Sequence, residues 1–176
     1  MRAPVVGVMG GVQCSARIAD LAERLGQALA RQGWTTLSGG RPVGVMEAVS
    51  KGAAQAGGMV VALLPGEDPH EATRWATVAV ASGIGYARNS MNVLSSDAVV
   101  ALPGSTGTVS EIAYAITYGK PLALLGWDAQ PLTAVHPPFF QQVEEVVEWL
   151  KGVLPRAEAQ SAFTRIHRDA AAGQDS

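Results

Sequence analysis

The chain has 176 residues, 48% of them hydrophobic and 16% charged, with a formal net charge of -2 and a pI near 5.9. This length suits one domain and leaves little room for two, and the charge balance excludes a global nucleic-acid binder. Charge is scarcer than the roughly 25% usual for soluble domains, so part of the surface is expected to be covered by another subunit.

The first apolar run, Val5–Met9, is too short for the core of a signal peptide and far too short to span a bilayer. It reads as a first strand. Ile18, Leu21, Leu25, Ala28 and Leu29 then recur at helical spacing, and Gly33 ends that helix. Thr35–Ser38 reads as a second strand, Gly39–Gly44 as a loop and Val45–Gln55 as a helix. Met59–Leu64 is a nearly unbroken apolar strand, as expected where both faces of a parallel sheet are covered. Pro65–Trp75 is a polar loop and Thr77–Val80 a short strand. Tyr86–Leu94 is a helix, Ala98–Leu102 a buried strand, Gly107–Tyr118 a helix and Pro121–Leu125 the last clear strand. Phe139–Leu154 has Val143, Val146, Val147 and Leu150 on one face and reads as one amphipathic helix. The domain is expected over residues 1–155. The Ala-rich polar tail, 156–176, is expected to fray or to pack on a neighbour.

Strands alternating with helices predict a single Rossmann-like α/β domain, a parallel sheet with helices on both faces. Ligands of such sheets bind beyond the carboxyl ends of the strands. Attention therefore falls on the loops Gly10–Ser15, Gly39–Gly44, Ser82–Asn89 and Pro103–Thr108.

Pro103-Gly104-Ser105-Thr106-Gly107-Thr108 follows a strand and opens a helix. Glycines allow close approach of the backbone, the helix start carries partial positive charge, and three hydroxyls add donors, which together suit a phosphate. The same residues fit a plain strand–helix turn, and Thr108-x-x-Glu111 fits a capping box that needs no ligand. No Lys follows the second Gly, so this is not a Walker loop. Gly39–Gly44 repeats the device with Arg41 inside it, a side chain that pairs bidentately with phosphate or simply meets solvent. Gly10-Gly11 lacks a dinucleotide fingerprint. Arg88 and Glu111 fall at the same sheet edge, as a pair for glycosidic chemistry or as a structural ion pair.

Other residues carry less. The lone Cys14 cannot form an internal disulfide, which suits a reducing, cytoplasmic compartment, and its plainest role is a small residue in a turn. His70, His136 and His167 show no metal spacing, so no structural metal is expected. Trp34 and Trp149 read as packing residues.

Pro103 to Glu111 resembles the P-G-G-x-G-T-x-x-E motif of the Lonely Guy (LOG) family, once called lysine decarboxylase-like. Arg88, fifteen residues before Pro103, occupies the place of that family's R-K arginine. Ser96-Asp97-Ala98 and Ala101-Leu102-Pro103 match as well, and the resemblance runs from about Val5 to Trp127. LOG enzymes are phosphoribohydrolases that cleave the N-glycosidic bond of nucleoside 5′-monophosphates. The resemblance implies Arg88 and Glu111 as the catalytic pair, with the carboxylate stabilising an oxocarbenium-like ribosyl centre or orienting water.

The chain departs from that pattern at Asn89 in place of Lys, at Tyr86-Ala87 in place of His-Glu, and at Ser105 in place of Gly. The runs Gly39-Gly40-Arg41-Pro42-Val43-Gly44-Val45-Met46 and Gly83–Asn89, with the Leu64-Pro65-Gly66 turn, resemble a sister branch, the molybdenum cofactor carrier proteins. That resemblance implies a homo-oligomer, dimer or tetramer, that binds the molybdenum cofactor, a pterin monophosphate, and protects it from oxidation. The implied cradles are Gly10 and Gly11, Gly39, Gly40, Arg41 and Gly44, Arg88 and Asn89, and Gly104, Ser105, Thr106, Gly107 and Thr108. Molybdenum enzymes are the implied recipients, with neither nucleic acid nor membrane as partner. Three functions follow: a cofactor carrier, a LOG-like phosphoribohydrolase, and a nucleotide-sensing module with neither activity.

Overall fold

The computed structural model describes residues 2–127 and 136–154. The expected tail at 156–176, and His167 with it, lie outside the described residues. The strands are β1 (Val5–Met9), β2 (Thr35–Ser38), β3 (Val60–Leu64), β4 (Val78–Ala81), β5 (Ala98–Ala101), β6 (Leu122–Leu125) and β7 (Phe139–Phe140). The helices are α1 (Ala16–Arg31), α2 (Gly44–Gln55), α3 (Arg88–Leu94), α4 (Thr106–Thr117) and α5 (Val143–Val153), with 3-10 turns at Pro69–Glu71 and Gly85–Ala87.

All seven strands are parallel, in the order β4-β3-β2-β1-β5-β6-β7. The chain winds outward from β1 to β4, then returns to the other side of β1 to lay down β5. The strand order reverses between β1 and β5, and there the loops at the carboxyl ends part to leave a crevice. Period-two alternation splits the sheet between two cores. Val6, Val8, Ala98 and Val100 face α1, α2 and α5, whereas Met9, Leu37, Val99 and Ala101 face α3 and α4. The expected α/β architecture with helices on both faces is what the chain adopts.

Helices α1 and α2 pack unusually close. Gly26 lies against the carbonyl of Val49, and Gly52 against the carbonyl of Glu23, with no room for a Cβ at either place. Ser15 caps α1, its hydroxyl accepting from the N–H of Ile18 at 3.3 Å.

Among the element boundaries that differ from expectation, three change how the chain is read. Phe139-Phe140 is not helical but adds an edge strand, with Leu124 opposite Phe139. Helix α5 begins only at Val143, because Gln142 is extended and forms a reciprocal capping box with Glu145. Second, the first turn of the expected helix at Tyr86 is 3-10, following Gly85 at φ +60°. Third, α4 starts at Thr106, so Thr108 lies inside the helix and cannot be its cap. The capping-box reading of Thr108 and Glu111 is thereby overturned; Ser105 is the capping position and makes no side-chain cap bond.

Candidate functional site

The loops after β1, β2 and β5 meet at the crevice and are laced by their own backbones. The N–H of Gly11 donates to the carbonyl of Pro103 at 3.0 Å, and the N–H of Val45 to the carbonyl of Gly11 at 3.0 Å. Glycine is needed here for protein against protein. A Cβ on Gly104 would overlap Thr108, on Gly40 it would overlap Ala62, and on Gly44 it would overlap the Gly11 carbonyl. Gly40 and Gly44 also adopt positive φ, +73° and +54°. These three glycines shape the loops without lining the cavity. The two Gly-rich helix starts are therefore not equivalent. The start of α2 is partly closed by Gly11, whereas the start of α4 is open.

The cavity has a volume of about 710 Å³. Of the sequence-predicted residues, Gly10, Gly11, Gly39, Arg41, Arg88, Asn89, Ser105, Thr106, Gly107, Thr108 and Glu111 line it. Ser105 to Thr108 present the first turn of α4, whose N–H groups lack a side-chain cap. Gly107 would meet only the Asn89 amide, at 3.8 Å, if it carried a Cβ. Asn89 is itself committed to α4, donating to Ser110 Oγ at 2.9 Å and more weakly to the carbonyl of Gly107 at 3.4 Å.

Arg88 joins two walls of the cavity. Its Nη1 donates to Glu111 Oε1 at 3.3 Å, and its Nη2 packs against Gly39, where a Cβ would stand 2.6 Å away. Its Nε is buried and has no hydrogen-bond acceptor among the described residues. Burial holds the Arg88 pKa below the usual guanidinium value, against the pull of Glu111 and with Arg41 adding repulsion. Glu111 Oε1 also accepts from Asn92 Nδ2 at 2.7 Å. Burial pushes the Glu111 carboxyl up to about 6, opposed by Asn92 and Arg88. Two guanidinium groups thus face one carboxyl group, a balance that favours an anion.

Sequence reasoning missed several residues that line the cavity or stand behind its wall. Asn92 stands one helical turn after Arg88, and that i, i+4 spacing on α3 is the signal that could have found it. Met9, Met46, Tyr86 and Tyr114 also line the cavity, Tyr86 being 83% exposed at the surface. The polar loop before β4 is latched to the arginine loop. Thr73 donates its N–H to the carbonyl of Gly40 at 2.8 Å and its hydroxyl to Glu47, which also accepts from Trp75 Nε1 at 2.9 Å. Cys14 is half-buried against the core and does not line the cavity. Among the described residues, no group of three His, Cys, Asp or Glu side chains is placed to hold a metal ion, and no helix is long and apolar enough to cross a membrane.

Comparison with known proteins places this geometry. Residues 3–150 match LDcluster4, the SLOG cluster4 family. The structure of the molybdenum cofactor binding protein from the phototrophic bacterium Rippkaea orientalis is similar at 39% identity and a TM-score of 0.83, covering 87% of this chain and 98% of that one. The molybdenum cofactor carrier protein from Chlamydomonas reinhardtii is similar at 33% identity and a TM-score of 0.79, over 86% and 98% of the respective chains. A cytokinin riboside 5′-monophosphate phosphoribohydrolase from Mycobacterium tuberculosis is 31% identical over 141 residues, 79% of this chain and 72% of that protein.

Proposed function

The chain belongs to the SLOG cluster4 family, and from that premise we propose that it binds, stores and protects molybdenum cofactor. One observation carries the reading: the uncapped start of α4 opens into the same cavity as Arg41 and a buried Arg88 whose Nε lacks an acceptor among the described residues. A terminal phosphate suits the N–H groups and hydroxyls of Ser105 to Thr108. Arg41 and Arg88 suit the remaining negative charge of the ligand. The dithiolene brings its own sulfur ligands for molybdenum, so the protein needs no Cys or His cluster. Enclosure in the crevice is what slows oxidation. The similarity to two molybdenum-cofactor proteins over nearly their whole lengths supports this reading over others.

The reading is tested by the lifetime of molybdenum cofactor in aerated buffer. The protein should extend it, and Arg41→Glu, at an exposed residue that lines the cavity, should remove the extension while leaving the melting temperature within a few degrees. Equal protection by both proteins would eliminate the site.

A second reading, a LOG-like phosphoribohydrolase acting on nucleoside 5′-monophosphates, is favoured by one feature. Glu111 and Arg88 stand together in the cavity, and a curated phosphoribohydrolase is a relative. Release of free adenine from AMP, abolished by Glu111→Gln, would establish it.

A homo-oligomer forms part of the proposal. Val78 and Val80 of edge strand β4 are 45% and 40% exposed on the sheet face that carries α3, where Met91 and Leu94 are also exposed. A second copy of this chain is the occupant we assign to that apolar surface.

A further inference from the structure

We infer that the cavity takes up one proton together with its anionic ligand, and that the proton resides on Glu111. The inference rests on the cradle reading above, but not on whether the ligand is stored or cleaved. A carboxylate in an anion site is at first sight misplaced, and its surroundings show how it is accommodated. Oε1 is committed to two donors, Asn92 Nδ2 at 2.7 Å and Arg88 Nη1 at 3.3 Å. Oε2 has no donor among the described residues, and Glu111 lines the cavity. Ionised, that oxygen would confront an oxyanion with no proton between them. Protonated, it becomes an O–H donor to the same oxyanion.

The charged and titratable groups around Glu111 are few. Arg88 and Asn92 approach from α3, Arg41 lines the cavity from the β2–α2 loop, Tyr86 lines it from the 3-10 turn and Tyr114 from α4 itself. Among the described residues, no His lines the cavity. In the free protein the Asn92 hydrogen bond and the Arg88 guanidinium favour the ionised carboxyl against the cost of its burial, and the balance leaves it near 6. A bound oxyanion engages Arg88 and adds its own negative charge, so both changes move Glu111 toward the acid form. The step balances simply. A carboxylate, a proton from solvent and the oxyanion give a carboxylic acid hydrogen-bonded to the oxyanion, with no bond in the ligand made or broken.

Ribose 5-phosphate is the probe, because it has no glycosidic base to lose. Near pH 7.5 its phosphate has already shed its second proton, whose pKa is about 6, and so has most of Glu111. Calorimetry in two buffers of different ionisation enthalpy counts the protons taken up. The expected result is about half to one proton per bound chain, absent in Glu111→Gln, with the variant binding at least about thirtyfold tighter than wild type near pH 8.5. Wild-type binding with no proton uptake overturns the inference even if the variant fails to fold. No binding of ribose 5-phosphate to either protein between about pH 5.5 and 8.5 removes the cradle itself and this inference with it.

Discussion

Glu111 shows how burial, rather than sequence position, sets the chemistry of a side chain. Its pKa rises from 4.5 to about 6 on folding, so the folded state holds the proton more tightly than the unfolded chain. Below about pH 4.5 both states are protonated and the shift costs nothing. Between about 4.5 and 6 the cost grows, and above that it is complete at about 2 kcal/mol. The stability of Glu111→Gln relative to wild type should therefore increase by about this much as pH rises from 4 to 7, measured by urea unfolding. A constant difference across that range would show that the carboxyl is not perturbed. Gly39 gives a second prediction at this scale. A Cβ there would stand 2.6 Å from Arg88 Nη2 and 2.7 Å from Met46 Sδ, both at the ends of flexible chains. Gly39→Ala should lower ligand affinity at least about tenfold, a loss of about 1.4 kcal/mol in binding, while shifting stability by less than about 1 kcal/mol. Arg88 and Glu111 were legible in the sequence because each lies in a recognisable motif. Asn92 and Met46 were not, because each joins the site through the turn of a helix. The site glycines were legible as glycines, but three of them answer to neighbouring backbone or side chains rather than to the cavity.

At the scale of elements, the close contact of α1 and α2 is the feature most open to test. Glycine inside a helix costs about 1 kcal/mol relative to alanine, so Gly52→Ala should stabilise an isolated α2. In the folded protein its Cβ would overlap the backbone carbonyl of Glu23, which cannot rotate away. The expected net effect is destabilisation by about 2 kcal/mol or more, read by thermal or urea unfolding. A gain in stability would mean that the helices can separate without penalty. Periodicity revealed α1, α2 and the core face of α5, since each buries a continuous apolar stripe. It failed at Phe139-Phe140, where two residues are too short a run to show period-two alternation. Only their pairing with β6 and the capping box at Gln142 separate them from the helix that follows. The opening of α4 one residue earlier than expected has a functional consequence. With Ser105 rather than Thr108 at the capping position, Glu111 is free of capping and meets Arg88 and Asn92.

For the whole molecule, strand–helix alternation made the parallel sheet legible, and the reversal between β1 and β5 fixes where a ligand can sit. The loops that meet there come from residues near 10, 40, 88 and 105, so one cavity gathers groups spread over most of the described chain. The uncovered surface belongs to the same scale. Low overall charge suggested a partner, but only the fold brings Val78 and Val80 of β4 to the same side of the sheet as Met91 and Leu94 of α3. Val80→Glu with Leu94→Glu should convert the proposed oligomer to monomer in sedimentation velocity, with little loss of secondary structure. An unchanged sedimentation coefficient would place the interface elsewhere. The measurement that tests the central claim most directly is anaerobic co-elution. Purified protein is incubated with molybdenum cofactor and gel-filtered, and molybdenum and pterin are quantified in the protein peak. A carrier retains both in equal amounts and in a fixed ratio to chain. A protein peak free of both would contradict the carrier function.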